Sequence, residues 1–131
     1  MKVVLDTNVL ISAFLSSAGT AQYVLRAAIR KHECIFSEYI LEEMRRKLAL
    51  KLHFTENQIT PMLSFLRKHS RVMEIKVNSQ IHFKDKKDIP ILSLLEAVRP
   101  QYFITGDIAL QALKKFEMTL ILNPREAMEI L

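Results

Sequence analysis

Apolar positions along the chain alternate between two kinds of run. Residues 3–5, 33–36, 72–75, 102–104 and 119–122 are short stretches dominated by apolar or β-favouring side chains, bounded by polar residues, and read as strands. The stretches between them carry helical spacing. After the first strand, Asn8 and Ser12 stand four apart on one face of a segment otherwise apolar almost all round, which predicts a largely buried helix. Residues 20–31 place Ala21, Val24, Leu25 and Ala28 inward. Ser37 caps a helix through about residue 52 with Ile40, Leu41, Met44, Leu48 and Leu52 as its stripe. Thr55 and Gln58 form a capping box, and Pro61 restarts or kinks a helix that runs to about residue 69. Helices are also predicted over 89–98, with Asp88 as cap, and over 108–115. Asn123, Pro124 and Glu126 open a last short one. Residues 16–20 read as a loop, and 76–87 as the least regular and most basic stretch.

Strands alternating with helices imply an α/β fold: a central parallel sheet of four to five strands with helices on both faces, in three layers. At 131 residues the chain makes one domain, 1–131. Half the residues are hydrophobic and a quarter charged, as in an ordinary globule. Cys34 stands alone between apolar neighbours and reads as core, so an intrachain disulfide and a cysteine-based zinc site are excluded. His32, His53, His69 and His82 lack metal-ligand spacing. With only Gly19 and Gly106 there is no glycine-rich phosphate loop. No stretch is apolar enough to span a bilayer or patterned as a signal peptide, so a cytoplasmic protein without membrane contact is expected.

The acids change this picture. Asp6 ends the first strand and Asp107 follows the fourth; Asp88 precedes the helix that feeds strand four, with Asp85 three residues before it. Asp6, Asp88 and Asp107 have a plain explanation as helix caps, and Glu42 and Glu43 could pair along their helix with Arg45, Arg46 or Lys47. In open α/β sheets, however, the carboxyl ends of strands border one crevice. Were strands one and four neighbours, Asp6 and Asp107 would face it together. Two carboxylates 5–6 Å apart repel by roughly 3 kcal/mol at an effective dielectric of 20. A larger cluster needs protonation or a cation. Oxygen ligands without histidine or cysteine favour Mg²⁺ or Mn²⁺, which suits hydrolysis of a phosphodiester. Residue pattern alone leaves Glu42 and Glu43 equivalent, since both flank the apolar stripe.

Four blocks, residues 4–12 (VLDTNVLIS), 37–44 (SEYILEEM), 85–92 (DKKDIPIL) and 102–107 (YFITGD), resemble the motif blocks of the PIN-domain family, in order and over nearly the whole chain. They are most similar to its small prokaryotic branch, regarded as toxins of toxin–antitoxin pairs. The resemblance implies a metal-dependent endoribonuclease with Mg²⁺ or Mn²⁺ as cofactor. Asp6, Glu43, Asp88 and Asp107 match its catalytic, metal-holding acids, with Asp85 as an accompanying acid. Asn8, Ser12 and Thr105 match polar positions lining the cleft. Glu43 is preferred over Glu42 by its spacing from Ser37. RNA as substrate, a homodimer and a small antitoxin protein are implied as partners.

Charge agrees with an RNA partner. The formal net charge is +5, and setting aside the five cleft acids leaves nine acids against nineteen bases, +10 on the rest of the molecule. Arg45, Arg46, Lys84, Lys86 and Lys87 are the candidate phosphate contacts; singly, each also fits a solvated helix face. Two rival functions remain open: a non-catalytic RNA-binding or regulatory module on the same fold, and a Mg²⁺-dependent phosphatase of another α/β family. Phosphatases with an aspartyl nucleophile after the first strand want an acid two residues on, where this chain has Asn8.

Overall fold

The structure is a computed structural model describing residues 1–16 and 19–131. Part of the loop expected at 16–20 thus lies outside the described residues. Its elements are β1 (Lys2–Leu5), α1 (Thr7–Leu15), α2 (Thr20–Lys31), β2 (Glu33–Ser37), α3 (Glu38–Leu50), α4 (Glu56–His69) and β3 (Arg71–Met73). A 3₁₀ turn (Lys86–Asp88) then leads into α5 (Ile89–Val98), β4 (Tyr102–Ile104), α6 (Ile108–Gln111), β5 (Lys115–Phe116), β6 (Thr119–Leu122) and α7 (Pro124–Ile130).

The six strands form one sheet in the order β3-β2-β1-β4-β6-β5, parallel except for the β5–β6 pair. Starting at β1, the chain builds outward through β2 and β3, then returns to add β4 and β6 on the other side. β1 is therefore flanked by the strands on either side of the reversal, the place where a sheet of this kind opens a crevice. Val3, Val4 and Leu5 are fully buried, as are Ile35 and Phe36 in β2 and Phe103 and Ile104 in β4. Such continuous apolar runs suit strands covered by helices on both faces.

Local signals start the helices. Ser37 Oγ accepts from the Ile40 N–H at 3.2 Å. Asn123 and Glu126 exchange reciprocal bonds of 2.8 and 2.9 Å, and Gln58 Oε1 accepts from the Thr55 N–H at 2.9 Å. Each such cap contributes about 1 kcal/mol. In α1, Val9, Leu10 and Ala13 are buried while Asn8 and Ser12 face out, as the pattern implies.

Five local expectations need correction. The helix predicted over 108–115 ends at Gln111; Lys114 turns left-handed (φ 60°), and Lys115–Phe116 joins the sheet as a sixth strand. Its two-residue turn to β6 carries Glu117 at φ 53° and no glycine, so the usual hairpin signal is missing. α3 stops at Leu50, and Leu52 is exposed rather than part of the stripe. β3 ends at Met73, two residues short of the apolar run. α4 does not restart at Pro61 but runs through it as one helix. Asp88 accepts no capping hydrogen bond; Asp85 caps the 3₁₀ turn instead, accepting from the Lys87 N–H at 3.1 Å.

Phe103 sits in β4 between β1 and β6 with no exposed surface. Phe103→Ala should cost about 3–5 kcal/mol by lost transfer energy and a residual cavity. Urea unfolding measures this, and a loss below about 1 kcal/mol would mean the centre of the sheet is not the tightly packed core described.

Candidate active site at the strand ends

β1 and β4 end side by side, and the ladder continues past both. The Asp6 N–H donates to Ile104 O at 2.8 Å, and the Thr105 N–H donates to Leu122 O at 2.9 Å. This brings Asp6 and Thr105 into contact across 99 residues of sequence: Thr105 Oγ1 donates to Asp6 Oδ2 at 2.6 Å. Asp6 Oδ1 accepts from the Thr7 N–H at 2.8 Å, so the carboxylate also caps α1. Asp6 and Thr105 are both buried. Burial pushes the Asp6 carboxyl above its ordinary range; the Thr105 hydroxyl and Thr7 N–H oppose that, Glu43 adds to it and Lys47 opposes it.

Glu43 arrives from α3. It is buried, and its Oε1 accepts from Thr7 Oγ1 at 2.6 Å. Glu42, one residue earlier, is exposed and held by Arg45 in a surface pair. The structure thus separates two glutamates that the helical pattern left equivalent. Asp107 is half-buried and caps α6, with Oδ1 accepting from Leu110 N–H at 3.1 Å; its own N–H donates to Thr105 Oγ1 at 3.0 Å.

Asp88 differs from the others. It is buried, and among the described residues its Oδ2 has no hydrogen-bond partner. Burial, followed by the charges of Asp107, Asp85, Asp6 and Glu43, pushes its carboxyl up to about 6. Four other acids therefore act on this one group. Asp85 is half-buried at the edge, paired loosely with Lys87 at 4.0 Å.

The remaining candidates divide. Asn8 is exposed, and its Oδ1 accepts from Lys47 Nζ at 3.2 Å. Ser12 lies exposed one turn further along α1, and among the described residues no hydrogen bond joins it to the acids. Arg45 is taken up by Glu42 and Glu56 on the outer face of α3. Arg46, Lys84, Lys86 and Lys87 are exposed. Two contributors had not been singled out. The Thr7 hydroxyl joins Glu43 to the start of α1. Lys47 reaches Asn8 from α3, one turn beyond Glu43, and the spacing of 43 to 47 was the available signal.

Among the described residues no three His, Cys, Asp or Glu side chains converge into a group ready to hold a metal ion. The donor set nevertheless fits a hard cation in its chemistry. It is all oxygen, and Asp88 Oδ2 is a buried acceptor with nothing to accept from. A cavity of about 500 Å³ lined by Phe14, Leu25, Arg26, Ile29 and Phe65 contains none of these acids.

A family model described as PIN domain matches residues 2–109. No curated protein matches the sequence. Solved structures are similar in fold. A chain of the VapBC2 structure from Rickettsia felis, bound to a DNA fragment from their promoter, has a TM-score of 0.70 at 14% identity; the match covers 94% of this chain and 98% of that one. VapC20 of Mycobacterium tuberculosis, a Sarcin-Ricin loop cleaving toxin, has a TM-score of 0.62 at 13% identity, covering 90% and 98%.

A raised carboxyl pKa ties stability to pH. The folded state holds the Asp88 proton more tightly than the unfolded one, whose value is near 3.8. That stability is present below about pH 4 and is lost as pH rises through about 6. In EDTA, Asp88→Asn should therefore match wild type near pH 4 and exceed it by about 1–3 kcal/mol at pH 7.5. Urea unfolding across that range checks this; a difference that does not change with pH would separate Asp88 from its acidic neighbours.

Proposed function

The chain belongs to the PIN-domain family, and from that premise we propose that it is a Mg²⁺- or Mn²⁺-dependent endoribonuclease, the toxin of a toxin–antitoxin pair. The observation that carries this reading is Asp88, a buried carboxyl with a partnerless oxygen on which Asp107, Asp85, Asp6 and Glu43 all act. Asp6, Asp107 and Asp85 each cap an element of their own, yet together with Glu43 they all act on one group, which caps dispersed over the molecule would not do.

In this reading Asp6, Glu43, Asp88 and Asp107 hold the cation, with Asp85 at the margin. A bound divalent cation would supply acidified water and neutralise charge on a phosphodiester. The chain's own contribution is placement. Thr105 fixes Asp6 Oδ2, Thr7 fixes Glu43 Oε1, and the α6 cap fixes Asp107 Oδ1. Among the described residues one oxygen of Glu43, one of Asp107 and Oδ2 of Asp88 accept no side-chain or capping bond, and each bonded oxygen keeps a second lone pair. Asn8 and Lys47 lie beside this set, where an amide and an ammonium suit a phosphate oxygen. Ser12 lines the outer part of the same helix face. Lys84, Lys86 and Lys87 surround Asp85 and contact the RNA backbone further out; Arg46 is available to it, and Arg45 only by giving up its acids. A homodimer, a small antitoxin protein and a cytoplasmic location complete the proposal; among the described residues no helix is long and apolar enough to cross a membrane.

Cleavage of an RNA panel with Mg²⁺, Mn²⁺ or EDTA tests the reading. Asp6→Asn should keep the fold and lose at least ~10²-fold in metal-dependent cleavage, because an amide cannot replace an anionic ligand. RNA binding that persists in EDTA without cleavage would favour the regulatory module, and turnover of a small phosphomonoester would favour the phosphatase.

The two glutamates give a second check on the same assay. Glu43→Gln should depress cleavage by an order of magnitude or more, whereas Glu42→Gln should do no more than loosen a surface pair, ~0.5 kcal/mol. The opposite ranking would place the wrong glutamate in the site.

A further inference from the structure

Asp88 is held by a stretch of chain with little regular structure. Residues 74–85 form neither helix nor strand. The stretch is pinned early by Asn78, whose N–H donates to Ser93 Oγ at 2.9 Å and whose Nδ2 donates to Glu96 Oε1 at 2.8 Å, both on α5. Beyond that point Ile81 and Phe83 pack against the core, but packing alone sets a turn's position loosely. Within the turn, the bonds are local: Lys87 N–H to Asp85 Oδ1, and Asp88 N–H to Asp85 O at 3.0 Å.

Among the described residues, one hydrogen bond reaches from residues 79–88 to α3 or the sheet. Tyr39 Oη donates to Lys87 O at 2.9 Å. Tyr39 lies one turn before Glu43 on α3, so the two share a helix face. The carbonyl it holds belongs to the residue immediately before Asp88. One rigid helix thus presents Glu43 to the cleft and, four residues away, fixes the turn that carries Asp88.

We propose that Tyr39 is a positioning residue for the divalent-cation site, its hydroxyl setting where Asp88 stands relative to Glu43 by gripping the Lys87 carbonyl. This rests on the nuclease reading above. Partial burial, with Glu43, Asp88 and Asp85 nearby, raises the phenol above its ordinary value of 10.0, so at neutral pH it remains a donor. A phenol suits the task because it holds a carbonyl without adding a positive charge that would compete for the carboxylates. The ring, half-buried, restricts where the hydroxyl can go.

Mn²⁺ binding to the full chain, followed by electron paramagnetic resonance without RNA, tests the proposal in wild type, Tyr39→Phe, Asp88→Asn and the double variant. Tyr39→Phe keeps the ring and should weaken Mn²⁺ binding by about 10–100-fold, the range for groups that orient metal ligands. If it acts through Asp88, the same change in the Asp88→Asn background should cost less than about twofold more. Its metal-free melting temperature should stay within a few degrees of wild type. Equal Mn²⁺ affinity of Tyr39→Phe and wild type, with or without a drop in melting temperature, overturns the proposal, as does an equal loss in both backgrounds. Wild-type binding weakened by Asp88→Asn but untouched by Tyr39→Phe overturns the positioning role alone. Absence of Mn²⁺ binding in the wild type, or binding indifferent to Asp88→Asn, overturns it together with the nuclease reading.

Discussion

The adjacency of β1 and β4 is the constraint on which the site depends. Consecutive strands tend to lie side by side, but β1 takes its second neighbour from a strand about a hundred residues later. Parallel pairing in register then carries Asp6 and Thr105 past the strand ends together, where the 2.6 Å Thr105–Asp6 bond forms. A buried carboxylate is costly unless hydrogen-bonded, and two donors offset that cost here. The same reversal of direction that opens the crevice also places α1, α3 and the 3₁₀ turn around it. Glu43 and Asp88 are recruited by elements that have their own reasons to pack there: the buried stripe of Ile40, Leu41, Met44 and Leu48, and the apolar α5.

What was legible in the sequence follows the range of the interactions involved. Apolar runs of three or four residues marked β1, β2, β4 and β6, and strand–helix alternation implied the parallel sheet, because both depend on burial periodicity alone. Ser37, Thr55 and Asn123 were legible as caps because capping is settled within four residues. β5 was missed because its hairpin turn carries no glycine, and Leu52 because a helix stripe does not announce where the chain leaves it. Asp88 was read as a cap for the same local reason, Asp before a helix, when Asp85 and the 3₁₀ turn had already satisfied that end. The acids could be listed from motif positions, but the distinctions among them could not. Glu43 and Glu42 differ by which faces Thr7 and which faces Arg45. Asp88 is isolated by a fold geometry that no spacing encodes.

Charge is apportioned unevenly over the acids, and the division has a physical logic. Three glutamates outside the cleft have guanidinium partners: Glu38 with Arg67, Glu42 with Arg45, Glu33 with Arg71. The cleft acids Asp6, Glu43 and Asp107 receive hydroxyls and backbone N–H groups instead. Neutral donors fix a carboxylate's orientation without cancelling its charge, whereas a bidentate arginine would do both. Lys47, tethered to Asn8, is the cation acting on Asp6, and it lies at the edge rather than among the carboxylates. The result is a group of oriented acids held by neutral donors, in a chain whose other residues carry ten more basic than acidic side chains. On the nuclease reading proposed above, such a set of acids would disfavour a bare phosphate and favour a compact cation, and the basic residues around it would draw a polyanion. Replacing Thr7, Thr105 or Tyr39 by cationic side chains would stabilise the free carboxylates and remove the feature that distinguishes this cleft from an ordinary surface ion-pair network.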